Sequence, residues 1–240
     1  ESQEYYSEKI VYLPNSYQPN DLKKTISEKN FKREDIGLPK NNFVFCSFNQ
    51  SSKILPKTFN VWMRILKKVN RSVLWLLESN IKTRENLKDQ AYRRGIDPSR
   101  LIFAERLPLN EHLARHKAAD LFIDTFPCNA HTTCSDALWA GLPILTLQGE
   151  TFASRVASSL LNAIGLPELI TKNSYEYEKK AIELGNDLSK VIDLKKKLEF
   201  NKFTKPLFNI KLFTSHIEQA YLEIYKRYNE NQKPENIEIK

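Results

Sequence analysis

Short apolar runs alternate with segments of helical periodicity through the middle of the chain, and this rhythm constrains the fold more than any other feature. The apolar runs lie at residues 43–48, 72–77, 101–104, 121–125 and 143–147. Each run is almost continuously apolar instead of alternating, as in strands that a parallel sheet buries on both faces. The sequence therefore predicts an α/β fold, a Rossmann-like doubly wound parallel sheet covered by helices.

The sequence outside this regular region predicts a division of the chain into three parts. Residues 1–40 are polar and interrupted by Pro14 and Pro19, which favours a connecting segment with one short strand near residues 10–13. Residues 41–228 form the predicted ligand-binding lobe, with a short sixth strand and two or three helices near its end. Residues 229–240 are charged, and we predict a frayed tail. Because the chain does not begin with Met, we expect it to be part of a longer protein.

Composition argues against several classes of function. The formal net charge of +8 is compatible with nucleic acid or another anionic ligand. The basic residues are mixed with acidic ones on helical segments, however, so we predict solvated helix faces and no nucleic-acid partner. No stretch approaches the roughly 18 apolar residues of a membrane span, and the first residues lack a secretory signal. The three cysteines have no metal-type spacing, which predicts no metal site and a reducing, cytoplasmic environment.

Loops at the carboxyl ends of the predicted strands carry polar side chains suited to a ligand. Ligands of doubly wound sheets bind at this edge, where neighbouring loops converge. The first loop contains Gln50 and Lys53, and the third leads to His112 and Arg115, whose i, i+3 spacing places them on one helix face. The fourth loop enters a helix at residues 131–136. Polar groups on several loops of one edge together predict a nucleotide site.

The fourth loop gives the strongest of these signals. It places His131, Thr132 and Thr133 at a helix N-terminus, where unsatisfied N–H groups and partial positive charge favour a phosphate. The sequence has only six glycines and no glycine-rich phosphate loop, so side chains and this helix end would have to hold a phosphate. The alternative is that Thr132 or Thr133 merely caps the helix and His131 is a turn residue.

The other candidate residues also have structural alternatives. Lys53 is suited to place a positive charge on a diphosphate leaving group, or else it is a solvated loop lysine. His112 and Arg115 converge on a ligand, or they belong to an exposed helix face. Asp136 accepts hydrogen bonds from a ribose diol, or it complements the helix dipole.

Five motifs are specific in combination. They are Asn49-Gln50 with Lys53, residues 127–133 (PCNAHTT) with Asp136, residues 138–143 (LWAGLP), residues 149–157 (GETFASRVA) and residues 206–209 (PLFN). Together they resemble the C-terminal catalytic lobe of the O-linked N-acetylglucosamine transferases and of the related SPINDLY-like protein glycosyltransferases. The resemblance extends from about residue 6 to residue 228.

This resemblance implies the nucleotide-sugar-binding lobe of a GT-B enzyme. The implied reaction is an inverting, metal-independent transfer of a sugar to a Ser or Thr hydroxyl of an acceptor protein, without a cofactor. In such a reaction, negative charge grows on the departing diphosphate. Preorganised N–H, hydroxyl and ammonium donors stabilise that charge. The implied roles are Lys53 on the diphosphate, Gln50, His131, Thr132 and Thr133 on the phosphates, Asp136 on the ribose, and His112 and Arg115 on the base.

The sequence departs from the family pattern at three positions. Ala130 and Cys134 stand where the family often has Gly, and Leu109 stands where a Lys is common. The upstream lobe and the tetratricopeptide helices of the family are not part of this sequence. We predict UDP-N-acetylglucosamine as the donor. The alternatives are a GDP-fucose donor, a non-catalytic nucleotide-binding or scaffold module, and a nucleic-acid-binding protein.

Overall fold

A central parallel sheet forms the body of the lobe. The structure, a computed structural model, describes residues 6–240. The strands of the central sheet are β2 (Phe43–Ser47), β3 (Ser72–Leu77), β4 (Leu101–Ala104), β5 (Leu121–Ile123), β6 (Ile144–Leu147) and β7 (Ile170–Thr171). Two further strands, β1 (Val11–Tyr12) and β8 (Ile237–Glu238), pair in parallel as a separate sheet. The parallel arrangement confirms the α/β architecture that the continuous apolar runs predict.

Helices cover both faces of the central sheet. They are α1 (Pro56–Lys68), α2 (Ile81–Tyr92), α3 (Leu109–Arg115), α4 (Thr132–Trp139), α5 (Val156–Ala163), α6 (Ser174–Asn186), α7 (Leu188–Thr204) and α8 (Ile210–Asn229). Helix α1 begins at Pro56, whose fixed φ suits a first helical position, and it buries Trp62 against the sheet. Gly95 follows α2 with a φ of 71°, a left-handed conformation that ends helices at low cost.

The order of the strands determines where a ligand can bind. The central sheet runs β4-β3-β2-β5-β6-β7, which is the order 3-2-1-4-5-6 when these strands are numbered along the chain. The direction of winding reverses between β2 and β5, which pair in parallel through Phe45 with Leu121 and Cys46 with Phe122. The loops that leave β2 and β5 therefore diverge at their carboxyl ends and open a crevice at this switch point.

Two helices of the lobe adjoin a tighter turn. Helix α3 ends at Arg115, and a 3-10 turn follows at His116–Ala118. Helix α5 likewise begins only after a 3-10 turn at Phe152–Ser154. Apolar spacing does not separate these tighter turns from an α-helix, because the two differ by less than one residue per turn.

The described part of residues 1–40 packs onto the lobe, whereas a connecting segment was expected. Arg33 donates two hydrogen bonds to the Asp120 carboxylate at 2.9 and 2.8 Å. The Ser27 N–H donates to Asn110 O at 3.0 Å, so the segment also reaches α3. Residues 1–5 of the predicted segment lie outside the described residues.

The prediction of a frayed C-terminal tail is wrong for its last residues. Strand β8 pairs in parallel with β1, in the register Val11 with Ile237 and Tyr12 with Glu238. Ile237 and Ile239 are buried in a small apolar cluster with Ala220. This pairing joins parts of the chain that are far apart in sequence, and a charged composition gives no sign of it.

No helix within residues 6–240 is long and apolar enough to cross a membrane.

Candidate functional site

Lys53 reaches across the switch point between β2 and β5. It ends the 3-10 turn Ser51–Lys53 after β2, and its Nζ donates to Asn129 O, in the loop after β5, at 2.8 Å. An ammonium group has three hydrogens, so two remain for a ligand. Gln50 is exposed and immediately precedes this turn. The structure thus places Lys53 at the predicted crevice and Gln50 at its rim.

The N-terminus of α4 forms the opposite side of this crevice. His131 is the N-cap residue, and its side chain makes no capping hydrogen bond. The alternative that Thr132 or Thr133 caps the helix is therefore wrong. Cys134 and Ser135 direct their N–H groups to His131 O, while those of Thr132 and Thr133 meet no acceptor in the described part of the chain. These two N–H groups give α4 an end suited to an anion.

The buried carboxylate of Asp124 holds both sides of the crevice in place. Its Oδ1 accepts from the N–H groups of Thr125 at 2.8 Å and Ala130 at 2.7 Å, and from Asn49 Nδ2 at 3.0 Å. Its Oδ2 accepts from Thr146 Oγ1 at 2.7 Å. Burial raises the pKa of Asp124 to about 6, although these hydrogen bonds lower it. One acceptor thereby fixes the loops after β2 and β5 relative to each other.

Thr133 is tied to the same network through its side chain. Its Oγ1 donates to Asn49 Oδ1 at 2.6 Å, and Asn49 is itself buried. Because the hydroxyl hydrogen is used in this bond, Thr133 offers a ligand its N–H group and not its hydroxyl. The Thr132 side chain is exposed at the helix end. Of the two threonines, Thr132 therefore has the hydroxyl that is available to a ligand.

His131 lies between the helix end and the loop after β6. Its Nε2 donates weakly to Ala153 O at 3.4 Å. Burial lowers the pKa of His131, the bond to Ala153 opposes this effect, and the positive charge of Lys53 adds to it. The imidazole is consequently neutral at neutral pH and able to donate or accept a hydrogen bond.

His112 and Arg115 converge as predicted, but Arg115 is buried. Its side chain lies over the rings of Phe48 and Trp75, and the residue is only 2% exposed. It donates to Glu105 O and to His112 Nδ1, each at 2.5 Å. The alternative of an exposed helix face is therefore wrong for Arg115. In this structure only His112 is accessible to a ligand.

Arg115 fixes which ring nitrogen of His112 carries the hydrogen. Since His112 Nδ1 accepts from a guanidinium, the ring hydrogen lies on Nε2. Burial lowers the pKa of His112 to about 3, with smaller contributions from His116 and Arg115. Burial lowers the pKa of Arg115 to about 10, which leaves it charged. His112 therefore presents a neutral ring with a fixed N–H donor, which suits the carbonyl of a base.

Asp136 is paired with a residue from the N-terminal segment. Its Oδ1 accepts from Lys24 Nζ at 2.6 Å, and the side chains of Lys24 and Asp136 are 27% and 10% exposed. The sequence predicts Asp136 as a ligand for a ribose but gives no sign of this lysine, which is 112 residues away. Asp124 and Lys24 are the residues of the site that sequence reasoning missed. Asp124 directly follows an apolar run, so the sequence indicates that it lies at a strand end. Only the fold shows that it is buried.

The described residues contain no group of three or more His, Cys, Asp or Glu side chains arranged to hold a metal ion. Lys53 and Lys24 each bring an ammonium group to this edge, beside Asn129 and Asp136 respectively. With the helix end and His112, they can accept a diphosphate, a ribose and a base along one edge of the sheet. The strand order and this edge define an α/β lobe of the Rossmann-like class.

Comparison with known proteins identifies the family. The profile of glycosyl transferase family 41 matches residues 23–217, and the chain belongs to this family. The probable UDP-N-acetylglucosamine–peptide N-acetylglucosaminyltransferase SEC of Arabidopsis thaliana is 38% identical over 98% of this chain and 25% of its own length. The UDP-N-acetylglucosamine–peptide N-acetylglucosaminyltransferase of Caenorhabditis elegans is 39% identical over 82% of this chain and 17% of its own length.

A solved structure shows the same fold. A mutant of the Thermobaculum terrenum O-GlcNAc transferase superimposes with a TM-score of 0.81 at 31% identity, over 92% of this chain and 42% of that one. This match and the strand order confirm the predicted Rossmann-like lobe of a GT-B glycosyltransferase. The chain spans 25% of the length of the Arabidopsis thaliana relative and 17% of the length of the Caenorhabditis elegans relative.

Proposed function

We propose that this chain binds the donor of an inverting protein O-glycosyltransferase that moves N-acetylglucosamine from UDP-N-acetylglucosamine to Ser or Thr. The observation that carries the proposal is the approach of Lys53 to the N-terminus of α4 across the switch point. The ammonium and the two N–H groups without an acceptor in the described residues belong to the segments that leave β2 and β5. The similarity to proteins named as UDP-N-acetylglucosamine–peptide transferases supports the choice of donor.

The proposed chemistry stabilises the leaving group. An acceptor hydroxyl oxygen bonds to the anomeric carbon as the bond from that carbon to the diphosphate breaks, and the hydroxyl proton passes to a base. Negative charge grows on the diphosphate, where Lys53 and the N–H groups of Thr132 and Thr133 donate to it. These donors are already held in position by Asp124 and Asn49, so little reorganisation is needed. In this proposal they take the place of a metal ion.

The remaining residues bind the nucleoside in the same proposal. Asp136 accepts from the ribose hydroxyls. His112 donates from Nε2 to the base, and Arg115 contributes by fixing the tautomer of His112. Gln50 and His131 complete the phosphate site from its two sides. A non-catalytic module would have less need of the Lys53 charge, because that charge acts chiefly on the departing diphosphate.

We also propose that other parts of a longer protein supply the acceptor side. An upstream catalytic lobe and tetratricopeptide repeats would bring the acceptor protein and the general base to this edge. The fraction of each relative that the chain spans supports this view.

The three free cysteines support a reducing, cytoplasmic location.

Calorimetric titration in buffer containing a metal chelator tests the donor assignment. We expect UDP and UDP-N-acetylglucosamine to bind, and Lys53→Met to weaken UDP binding about tenfold or more, because a charge-assisted hydrogen bond is lost. Lys68→Met is the matched control, since Lys68 is exposed at the far end of α1. Preference for GDP would change the donor to GDP-fucose. A Lys53→Met variant that binds like the control would contradict the proposed role of Lys53.

A further inference from the structure

Residues 16–27, which we call the N-terminal strap, are fixed across α3 and α4 beside the candidate site. Ser16 and Asn20 are buried. Gln18 Nε2 donates to Ser135 Oγ, on α4, at 3.2 Å. Where the strap leaves α4, the Ser27 N–H donates to Asn110 O at 3.0 Å. The strap therefore has a defined position on the lobe.

Lys24 is the strap residue that points into the site. Its backbone O accepts from Trp139 Nε1 at 2.8 Å, and Trp139 is buried in α4. Its Nζ lies 2.6 Å from Asp136 Oδ1. An ion pair between freely moving surface side chains has little significance, but this backbone is anchored on both sides of the lysine. The ammonium is therefore held where a ligand of Asp136 must bind.

The charge of Lys24 offsets an electrostatic repulsion between Asp136 and a diphosphate. Asp136 lies one turn into α4, on the helix whose N-terminus is suited to a diphosphate, and an unpaired carboxylate there would repel that ligand. Lys24 neutralises this charge through Oδ1 and leaves Oδ2 to accept from a ribose hydroxyl. Its ammonium retains hydrogens beyond the one given to Asp136. Asp136 is buried and its side chain is 10% exposed, whereas that of Lys24 is 27% exposed, so a ligand reaches the pair from the Lys24 side.

We propose that Lys24 is a nucleotide-binding residue, which acts on the ribose and phosphate part of a nucleoside diphosphate together with Asp136. This inference rests on the proposed function, because it assigns a further residue to the same donor site. It makes the strap part of the donor site. The second cation of the site thus comes from the segment that the sequence suggests is a connection.

Titration of the chain with UDP compares Lys24→Met with Lys23→Met. Lys23 is the neighbouring residue on the strap, and it is exposed, so its replacement removes the same charge from the same segment. We expect Lys24→Met to weaken UDP binding about ten- to hundredfold, as for loss of a hydrogen bond to a charged group. Lys23→Met should bind like the wild type. Lys24→Arg should recover most of the affinity.

A double-mutant cycle with Asp136→Asn tests whether Lys24 acts together with Asp136. We expect Lys24→Met to weaken binding much less in the Asp136→Asn background, because the charge that Lys24 neutralises is then absent. Thermal unfolding of each variant shows whether the fold is retained. If Lys24→Met disturbs the fold, Lys24→Gln against Lys23→Gln provides the comparison, with weaker UDP binding expected of Lys24→Gln alone and equal binding contradicting the inference.

The outcomes separate this inference from the proposed function. If the wild-type chain binds UDP and Lys24→Met binds it as Lys23→Met does, the inference is wrong and the proposed function stands. Tighter binding by Lys24→Met would also overturn it, because Lys24 would then compete with the ribose for Asp136. A wild-type chain that binds neither UDP nor GDP overturns both proposals.

Discussion

Replacement of Asp124 by Asn should make the stability of the protein respond differently to pH. The amide oxygen of Asp124→Asn can take the place of Oδ1 and accept from the N–H groups of Thr125 and Ala130. The amide nitrogen then faces Thr146 Oγ1, a hydroxyl that can turn to accept. The substitution therefore keeps the shape of the network and removes only the titratable group.

The direction and size of the effect follow from the raised pKa of Asp124. Burial raises this pKa from 3.8 to about 6, so the folded protein binds the proton more tightly than the unfolded chain does. The contribution of Asp124 to stability is fully present below about pH 4 and is lost as the pH rises through 6. Asp124→Asn should thus gain about 2 kcal/mol relative to the wild type between about pH 4.5 and about pH 7.5.

Urea unfolding of both proteins across this pH range measures the effect. Other titrating groups cancel in the difference between the two free energies of unfolding. Thr146→Val provides a second comparison. It removes the hydrogen bond that most lowers the pKa of Asp124, so it should extend the pH dependence of the Asp124 contribution to higher pH. A difference between Asp124→Asn and the wild type that does not change with pH would refute the assignment of a raised pKa to this buried carboxylate.

Two further predictions concern groups beside the site. Burial lowers the pKa of His116 from 6.5 to about 4, so its contribution to stability, about 3 kcal/mol, is present above pH 6.5 and lost as the pH falls through about 4. His116→Gln should reduce the fall in the free energy of unfolding at acid pH, measured by urea unfolding. An unchanged fall would contradict this. Thr133→Val should cost about 1–3 kcal/mol by leaving the buried oxygen of Asn49 without a donor. Thr132→Val, at an exposed position, should cost within about 0.5 kcal/mol, and equal costs would disprove the assigned hydrogen bond.

The sequence predicts the central sheet well because its strands are defined locally. Each apolar run ends where polar residues begin, so predicted and observed strand bounds agree closely at β3 and β4. The edge that carries the ligand-suited loops follows from the parallel arrangement alone. The pairing of β1 with β8 could not be predicted in this way. It depends on contacts between Val11 and Ile237, which no local pattern encodes.

Side-chain types indicate the site, but burial decides what each residue can do. The i, i+3 spacing correctly brings Arg115 to His112, yet only the fold shows that Phe48 and Trp75 cover the guanidinium. The buried guanidinium of Arg115 donates to His112, and in the proposed site it therefore acts by positioning that ring. Lys24 illustrates the converse. A polar segment rich in lysine gives no reason to select it, and its role depends on an anchor at Trp139.

A crystal structure of this chain with bound UDP would show whether Lys53 and the N-terminus of α4 hold the diphosphate. We predict the diphosphate between β2 and β5, within about 3 Å of Lys53 Nζ and of the N–H groups of Thr132 and Thr133. We also predict the ribose at Asp136 and the base at His112. A diphosphate bound away from the N-terminus of α4, with Lys53 still directed only to Asn129, would contradict this prediction.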